Sequence, residues 1–261
     1  MSTNVRISVW LCAGLIATVL TTTGCASRRS TTGPDAAAPA ATSNGSTKAD
    51  GTAQASEEHL QRLNDATIVF NAMMSAGGEM DVPNDLVSRA ECIAVIPAVK
   101  KGAFIFGGQY GKGYFSCRQQ GGSGWTAPAT VRVEGGSIGL QIGGQETDVV
   151  LLVMSERGKQ RLLSNQFTLG GDASVAAGPV GRGGQVNMSQ ADILAYQRVR
   201  GGAFAGVSIE GATLRQDLDD NQALYGRPVT SADVVAGSVQ SMPPAAQQFV
   251  QALSTHAARG R

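Results

Sequence analysis

The sequence predicts an α+β domain: a curved, mainly antiparallel β-sheet or barrel-like core with helices flanking it at its amino and carboxy ends. Three observations predict this. Short apolar runs bounded by Gly, Pro or Ser recur from Cys92 to Leu214, the pattern of many short strands. Segments with helical spacing lie mainly before and after that stretch. Glycine supplies 34 of 261 residues, about 13% against the ~7% usual in proteins. The glycines concentrate between Gly102 and Gly211 among Val, Ile, Leu and Phe, so they belong to an ordered sheet with bends and close backbone approaches.

Taken in order, Met1 to Cys25 reads as an export signal. One positive charge, Arg6, precedes an apolar run from Val9 to Leu20, which is shorter than the ~20 residues of a membrane span. Its ending, Gly24-Cys25-Ala26-Ser27, resembles the bacterial lipoprotein signal, in which the cysteine becomes the acylated first residue. Thr22 departs from that pattern, where leucine is usual, and Leu20 stands two places early. An ordinary secretory signal with an incidental cysteine is the alternative. On the lipoprotein reading residues 1–24 are removed and Cys25 carries the lipid. Ala26 after the cysteine then resembles the outer-membrane sorting class, with the domain facing the periplasm.

Ser27 to Ser56 contains no Leu, Ile, Val or aromatic residue. Such a stretch buries too little apolar surface to offset chain entropy, so residues 25–56 are expected to form a lipidated end and a disordered tether. The single globular domain is expected over 57–261.

Leu60, Leu63, Thr67, Phe70 and Met74 follow a 3-4 spacing, the stripe of an amphipathic helix from Glu57 to Ser75. It can lie on a membrane or pack on the domain's own sheet. Its polar face (Glu57, Glu58, Arg62, Asp65) lacks the basic enrichment of a membrane-surface helix. Pro83 to Ala90 suits a short helix with Pro at its start. Cys92 to Ile96 reads as a buried strand stopped by Pro97. Lys100 to Arg118 reads as a hairpin, with strands at Phe104–Phe106 and Tyr114–Phe115 and glycines 107, 108, 111 and 113 between them. Its opening, Gly102-Ala103-Phe104, returns as Gly202-Ala203-Phe204, and Gly111 falls on Gly211 at the same offset, a hint of two related β-units. Further strands are expected at Thr130–Glu134, Ser137–Ile142, Asp148–Met154, Phe167–Leu169, Ala173–Ala177, Ile193–Val199 and Ala203–Leu214. Ser155 suits the N-cap of a helix over Glu156–Leu163, and two more helices are expected near Ser231–Ala236 and Pro244–Ala258.

Charge and motifs exclude more than they assign. Lys and Arg number 21 against 20 Asp and Glu; without the first 24 residues, which hold one Arg and no acid, the balance is 20 to 20. A neutral chain lacks the basic face of a nucleic-acid binder. The chain has two histidines, His59 and His256, and no HExxH or CxxC spacing, so no metal or other cofactor is expected. Gly135-Gly136-Ser137-Ile138-Gly139 matches GxSxG, but strand-like sequence continues where that motif needs a turn into a helix. Glu134, Glu146 and Asp148 read equally as a carboxylate pair or as solvated strand-end charges. No enzyme is expected.

Cys92 and Cys117 are the thiols left once Cys12 is removed and Cys25 acylated. If their strands flank a third, they lie ~9–10 Å apart, beyond the 7 Å limit for a bridge. If the strands are neighbours, a disulfide worth ~3 kcal/mol can form in an oxidising compartment. The sequence leaves both arrangements open.

Several ordered motifs together resemble the SYLF family. They are KGAFIFGGQYGKGYFSCR at Lys101–Arg118, GGDASVAAGPVGR ending at Arg182, GAFAGVSIEGATL ending at Leu214, and NQALYG at Asn221–Gly226. Trp125-Thr126-Ala127-Pro128 and Gly143 to Asp148 fit between them, and the likeness covers about Val82 to Arg227. Yeast members of that family are named for actin binding, and animal members bind phosphoinositides through a basic surface and an amphipathic amino-terminal helix. The resemblance implies binding of membrane phospholipid, anionic headgroups first, or of a protein partner in the envelope, without turnover. The residues it points to are Lys100, Lys101 and Lys112, joined by Arg118 on the same hairpin. Bacteria generally lack actin and phosphoinositides, so actin is not expected as a partner. The alternative is an interaction or structural module whose lipid affinity comes from Cys25 alone.

Overall fold

The computed structural model describes residues 47–75, 82–103, 107–121, 124–137, 143–178, 191–200 and 209–257. The expected signal, Cys25 and most of the expected tether lie outside them. Helix α1 (Thr47–Met74) opens the described chain, followed by α2 (Asn84–Arg89). Four long strands come next: β1 (Cys92–Ala103), β2 (Gly107–Cys117), β3 (Ala129–Ser137) and β4 (Gly143–Val153). Then come α3 (Glu156–Leu162), β5 (Gln166–Thr168), β6 (Val175–Ala177), β7 (Ile193–Val199) and β8 (Thr213–Gln216). The chain closes on α4 (Leu218–Tyr225), α5 (Ser231–Val235) and α6 (Pro244–His256). All of these elements fall within one compact unit, Asn44–Arg261.

The eight strands form one curled sheet in the order β5-β8-β3-β2-β1-β4-β7-β6, antiparallel except for the β6–β7 pair. Its central strands are buried on both faces. Alternate residues Ile93, Val95, Val150, Leu152, Leu194 and Tyr196 face α1, α2 and α6, while Ala94, Ile96, Leu151 and Ala195 face a second core with α3, α5 and β5. Burial on both sides explains why these strands read as unbroken apolar runs. The stripe of α1 packs inward: Leu63, Ala66, Phe70, Met73 and Met74 are buried, and Phe70 meets the His256 ring of α6 edge-on at 5.7 Å. Of the two placements open to that helix, packing on the domain is the one observed.

Four expectations change. Helix α1 begins at Thr47, inside the stretch expected to be a disordered tether. The strand at Cys92 does not stop at Pro97. One extra residue is accommodated instead: Val95 pairs Tyr114 and Lys100 pairs Tyr110, five steps on β1 against four on β2. The bulge places Ala98 in the left-handed region (φ 49°), and its N–H leaves the ladder for the Asp148 carboxylate at 3.0 Å. Strand β1 therefore runs on to Ala103, and the hairpin connects through Phe104–Phe106, outside the described residues. The glycines expected in its loop lie in β2. At Gly113 a Cβ would stand 2.2 Å from the Val95 carbonyl oxygen, and at Gly111 2.9 Å from Val99, so both let β2 close on the bulged strand. Finally, α4 is a helix that the sequence reading does not include. Asp217 caps it by accepting from Asp220 N–H, and Gly226 ends it at φ 70°.

The suggested repeat is not matched in role: Gly111 is a strand residue, whereas Gly211 sits in a turn at φ 81°. The strand expected at Ser137–Ile142 is described only at Ser137, and the 203–208 part of the strand expected up to Leu214 lies outside the described residues.

Candidate functional site

Because β1 and β2 form one hairpin, Cys92 and Cys117 are direct cross-strand partners and are joined by a disulfide with an S–S distance of 2.03 Å. The flanking-strand arrangement, which would have kept them apart, assumed a strand break at Pro97 that the bulge removes. Next to this bond Arg118 is enclosed. Its guanidinium donates to the carbonyls of Ser88 (2.9 Å), Ala257 (2.8 Å) and Val87 (3.4 Å) and lies 4.2 Å over the Trp125 ring. Arg118 thus ties the hairpin to the ends of α2 and α6.

Six residues along β2, ~20 Å away at strand spacing, Lys112 is also taken up by the fold. It sits 2.8 Å from Asp220 and 3.0 Å from Asp217, the carboxylates at the start of α4. Burial opposes its charge, but the bonds to Asp220 and Asp217 outweigh this and raise its pKa. Arg62 of α1 reaches the same Asp220 at 3.1 Å and Glu58 at 2.5 Å, and the Tyr114 hydroxyl donates to the His59 carbonyl at 3.0 Å. His59 itself is buried, 3.8 Å from Asp220, and burial holds its imidazole below the ordinary value. These contacts clamp α1 onto β2 and α4.

Lys100 differs: it is exposed on the lip of a groove of about 400 Å³ between α1 and the hairpin, beside Tyr110. Lys101 is half-buried, which lowers its pKa, and it pairs in the ladder with Gln109 and Gln145. The four hairpin cations therefore do not form one surface patch. A second groove, of about 620 Å³, lies on the other flank of α1, between Asp65, Ile68 and Val69 and the end of β7, Arg198 and Val199, with Arg200 just past it. Asp65 lines both grooves. The buried Asp148 underlies the second one. It accepts from Arg198 at 2.9 Å, from Arg200 at 2.9 Å and from Ala98 N–H. Burial opposes its ionisation, but these three donors prevail and keep its pKa below the carboxylate norm. Sequence reasoning does not single out Arg198 and Arg200; their spacing of two on a strand, with Asp148 opposite Arg198 across β4–β7, is the available signal.

The residues the sequence raised as catalytic candidates lie on different strands, β3 and β4. Ser137 is the last residue of β3 and pairs with Gly107 in the ladder. Glu134 on β3 is separated by β2 and β1 from β4, where Glu146 and Asp148 lie, and it pairs with Arg132 and Arg215. Among the described residues no cluster of His, Cys, Asp and Glu could hold a metal, and no helix is long and apolar enough to cross a membrane.

The motif residues mostly build the fold. Asn221, fully buried, accepts from Thr130 N–H at 2.9 Å, the Tyr225 hydroxyl donates to the Pro128 carbonyl, and Thr126 accepts from Cys117 N–H. The same sequence is matched in known proteins. The model of the family described as "Las17-binding protein actin regulator", Ysc84, matches residues 134–256. Protein YSC84 of Saccharomyces cerevisiae is 33% identical over 187 residues, 69% of this chain and 39% of the yeast protein. An SH3 domain-containing protein of Schizosaccharomyces pombe is 33% identical over 195 residues, 72% of this chain and 44% of its own length. SH3 domain-containing YSC84-like protein 1 of Rattus norvegicus is 29% identical over 183 residues, 69% of this chain and 53% of its own. The chain thus spans about two fifths to one half of these relatives' lengths. The family's description speaks of protein partners and lends nothing to the expectation that actin is excluded. With its curled sheet, its flanking helices and these matches, the chain belongs to the Ysc84 (SYLF) family.

Proposed function

We propose that this chain is a lipid-anchored, non-catalytic binding protein of a bacterial envelope, whose Ysc84-type domain engages membrane phospholipid headgroups. The anchor is Cys25, and the preferred location is the outer membrane, facing the periplasm. Support for export comes from the signal-like amino terminus and from the Cys92–Cys117 disulfide, a bond at home in an oxidising compartment. The observation that carries the binding reading is the pair of open grooves flanking α1, with Lys100 on the lip of one and two arginines in the wall of the other. The preference for anionic headgroups expected from Lys100, Lys101, Lys112 and Arg118 loses two members, since Lys112 and Arg118 serve the fold.

A second reading is favoured by the family's description: a protein-interaction module with no lipid affinity beyond Cys25. Actin-related partners come to this chain through that description alone.

Vesicle co-sedimentation separates the two. The chain beginning at Ser27 lacks the acylated cysteine and keeps the whole compact unit Asn44–Arg261. It is expected to pellet with phospholipid vesicles to an extent set by headgroup. Failure to pellet with any composition would leave the interaction module standing.

A further inference from the structure

We propose that the groove between α1 and β7 is a binding site for a phosphate ester bearing a primary ammonium, as in a phosphoethanolamine headgroup. The inference rests on the phospholipid-binding reading, but it moves the site away from the hairpin lysines and changes the charge of the ligand.

One buried carboxylate organises the site. Asp148 is 1% exposed and takes Arg198 Nη2 on one oxygen and Arg200 Nε and Nη2 on the other. Each guanidinium carries five N–H donors in a rigid fork. Asp148 uses one from Arg198 and two from Arg200, so donors remain on both, and the side chains are 36% and 43% exposed at the groove. Against Asp148 alone the two guanidiniums leave one positive charge, which Glu146 of β4 shares at 3.9 Å from Arg200 Nη1, so what this wall offers a phosphodiester is chiefly its remaining N–H donors. Arginine forks suit phosphate oxygens because they can donate two parallel bonds.

The facing wall has the opposite sign. Asp65 of α1 lines the groove and forms no ion pair with another described residue. Glu146, half-exposed on β4, adds a second carboxylate on the arginine side, 3.9 Å from Arg200 Nη1. A purely anionic headgroup would meet two carboxylates here. A zwitterion places its phosphate on the arginines and its ammonium on Asp65. A primary ammonium can also donate hydrogen bonds to that carboxylate, which a choline group cannot. Ile68, 63% exposed on the same wall, offers an apolar rest for the glycerol end. The groove's volume of about 620 Å³ lies within the ~300–1,000 Å³ of small-molecule sites.

Calorimetric titration of the chain from Ser27 with four soluble probes tests this: glycerophosphoethanolamine, glycerophosphocholine, glycerophosphoglycerol and inorganic phosphate. Glycerophosphoethanolamine is expected to bind about tenfold tighter than the choline and glycerol analogues, the scale of one charge-assisted contact. Replacing Arg198 or Arg200 would strand Asp148, so the deciding variant is Asp65→Asn, which should erase that preference and leave the melting temperature in place. Equal affinity for the ethanolamine and choline probes, or a preference unmoved by Asp65→Asn, overturns the site, as does inorganic phosphate binding as tightly as the ethanolamine probe. Vesicles of phosphatidylcholine doped with phosphatidylethanolamine or phosphatidylglycerol separate the two levels of the argument. Pelleting with the phosphatidylglycerol vesicles alone sinks this inference and keeps the phospholipid reading. Pelleting with none sinks both.

Discussion

The two ends of the β1–β2 hairpin handle the same ingredients in opposite ways. At the open end, Cys92 and Cys117 are bonded and Arg118 is enclosed by carbonyls and Trp125. Beyond the Pro97–Ala98 bulge, β1 leaves its neighbours' register, α1 lies across the sheet, and a groove opens on each flank of that helix. Cations at the first end are consumed by the fold, whereas Lys100, Arg198 and Arg200 keep a side open to solvent. The difference teaches that the partners the fold supplies, more than charge, decide which hairpin residue can meet a ligand: Lys112 lines the same groove as Lys100 but is taken up by Asp217 and Asp220.

The strongest way to break this contrast is to abolish the bulge's fit. A methyl at Gly113 would press on the Val95 carbonyl oxygen at 2.2 Å and on the Ile96 Cα at 2.7 Å, backbone atoms that no rotamer change can move aside. Gly113→Ala is therefore expected to cost more than ~3 kcal/mol, at the upper end of single substitutions. Urea unfolding followed by circular dichroism reads it. A loss below ~1 kcal/mol would mean that β2 does not need glycine to close on β1.

Opening the sealed end should do less. The disulfide joins residues 25 apart in the sequence, a loop for which chain-entropy arguments give ~3 kcal/mol. The Cys92→Ala/Cys117→Ala double variant should lose ~2–4 kcal/mol in the same unfolding experiment, yet bind headgroup probes as the parent does, because neither groove is lined by residues at the disulfide end. A change in probe affinity of about tenfold or more, ~1.4 kcal/mol, would show that the two ends are coupled.

How much of this is legible in the sequence follows the same line. The stripe of α1, the Ser155 cap on α3 and strand β7 announce themselves because periodicity, capping chemistry and burial on both faces all act locally. The hairpin misleads because Pro97 reads locally as a stop and the glycines of β2 as a loop. What overrides the proline is long-range: Asp148, fifty residues away, takes the Ala98 N–H that the ladder releases. Helix α4 escapes because its apolar content is slight; it is held by Asp217, Asp220 and Asn221, whose partners lie on α1, β2 and β3. The arginines of the second groove are hidden for the same reason. Arg198 and Arg200 look like ordinary strand charges until sheet order sets Asp148 beside them.

The finest test concerns the clamp that holds α1 between the two grooves. His59 is buried at that junction, with Asp220 at 3.8 Å favouring its charge and Arg62 and Lys112 opposing it. Glu58 on α1 favours the charge too, and Tyr114 of β2 contributes a neutral hydroxyl. Burial leads, so the folded pKa lies below the ordinary 6.5. The unfolded chain then takes up this proton more readily than the folded one, so the contribution is complete above pH 6.5 and declines as pH falls through 6.5 toward the folded value. A His59→Gln variant should flatten the stability profile between about pH 7 and pH 5, as read by thermal melts at constant ionic strength. The remaining acid loss, below about pH 4, belongs to Asp148, to Asp192, whose carboxylate accepts from Arg157, Ser155 and Ser174, and to Asp233, which accepts from Thr230. Their depressed pKa values give linkage of the same sign at lower pH: stability present above the ordinary carboxylate range and lost beneath it. An unchanged profile in His59→Gln would mean that burial of His59 does not carry the pH dependence in this range, and that the clamp on α1 rests on Arg62 and Lys112 with Asp217 and Asp220.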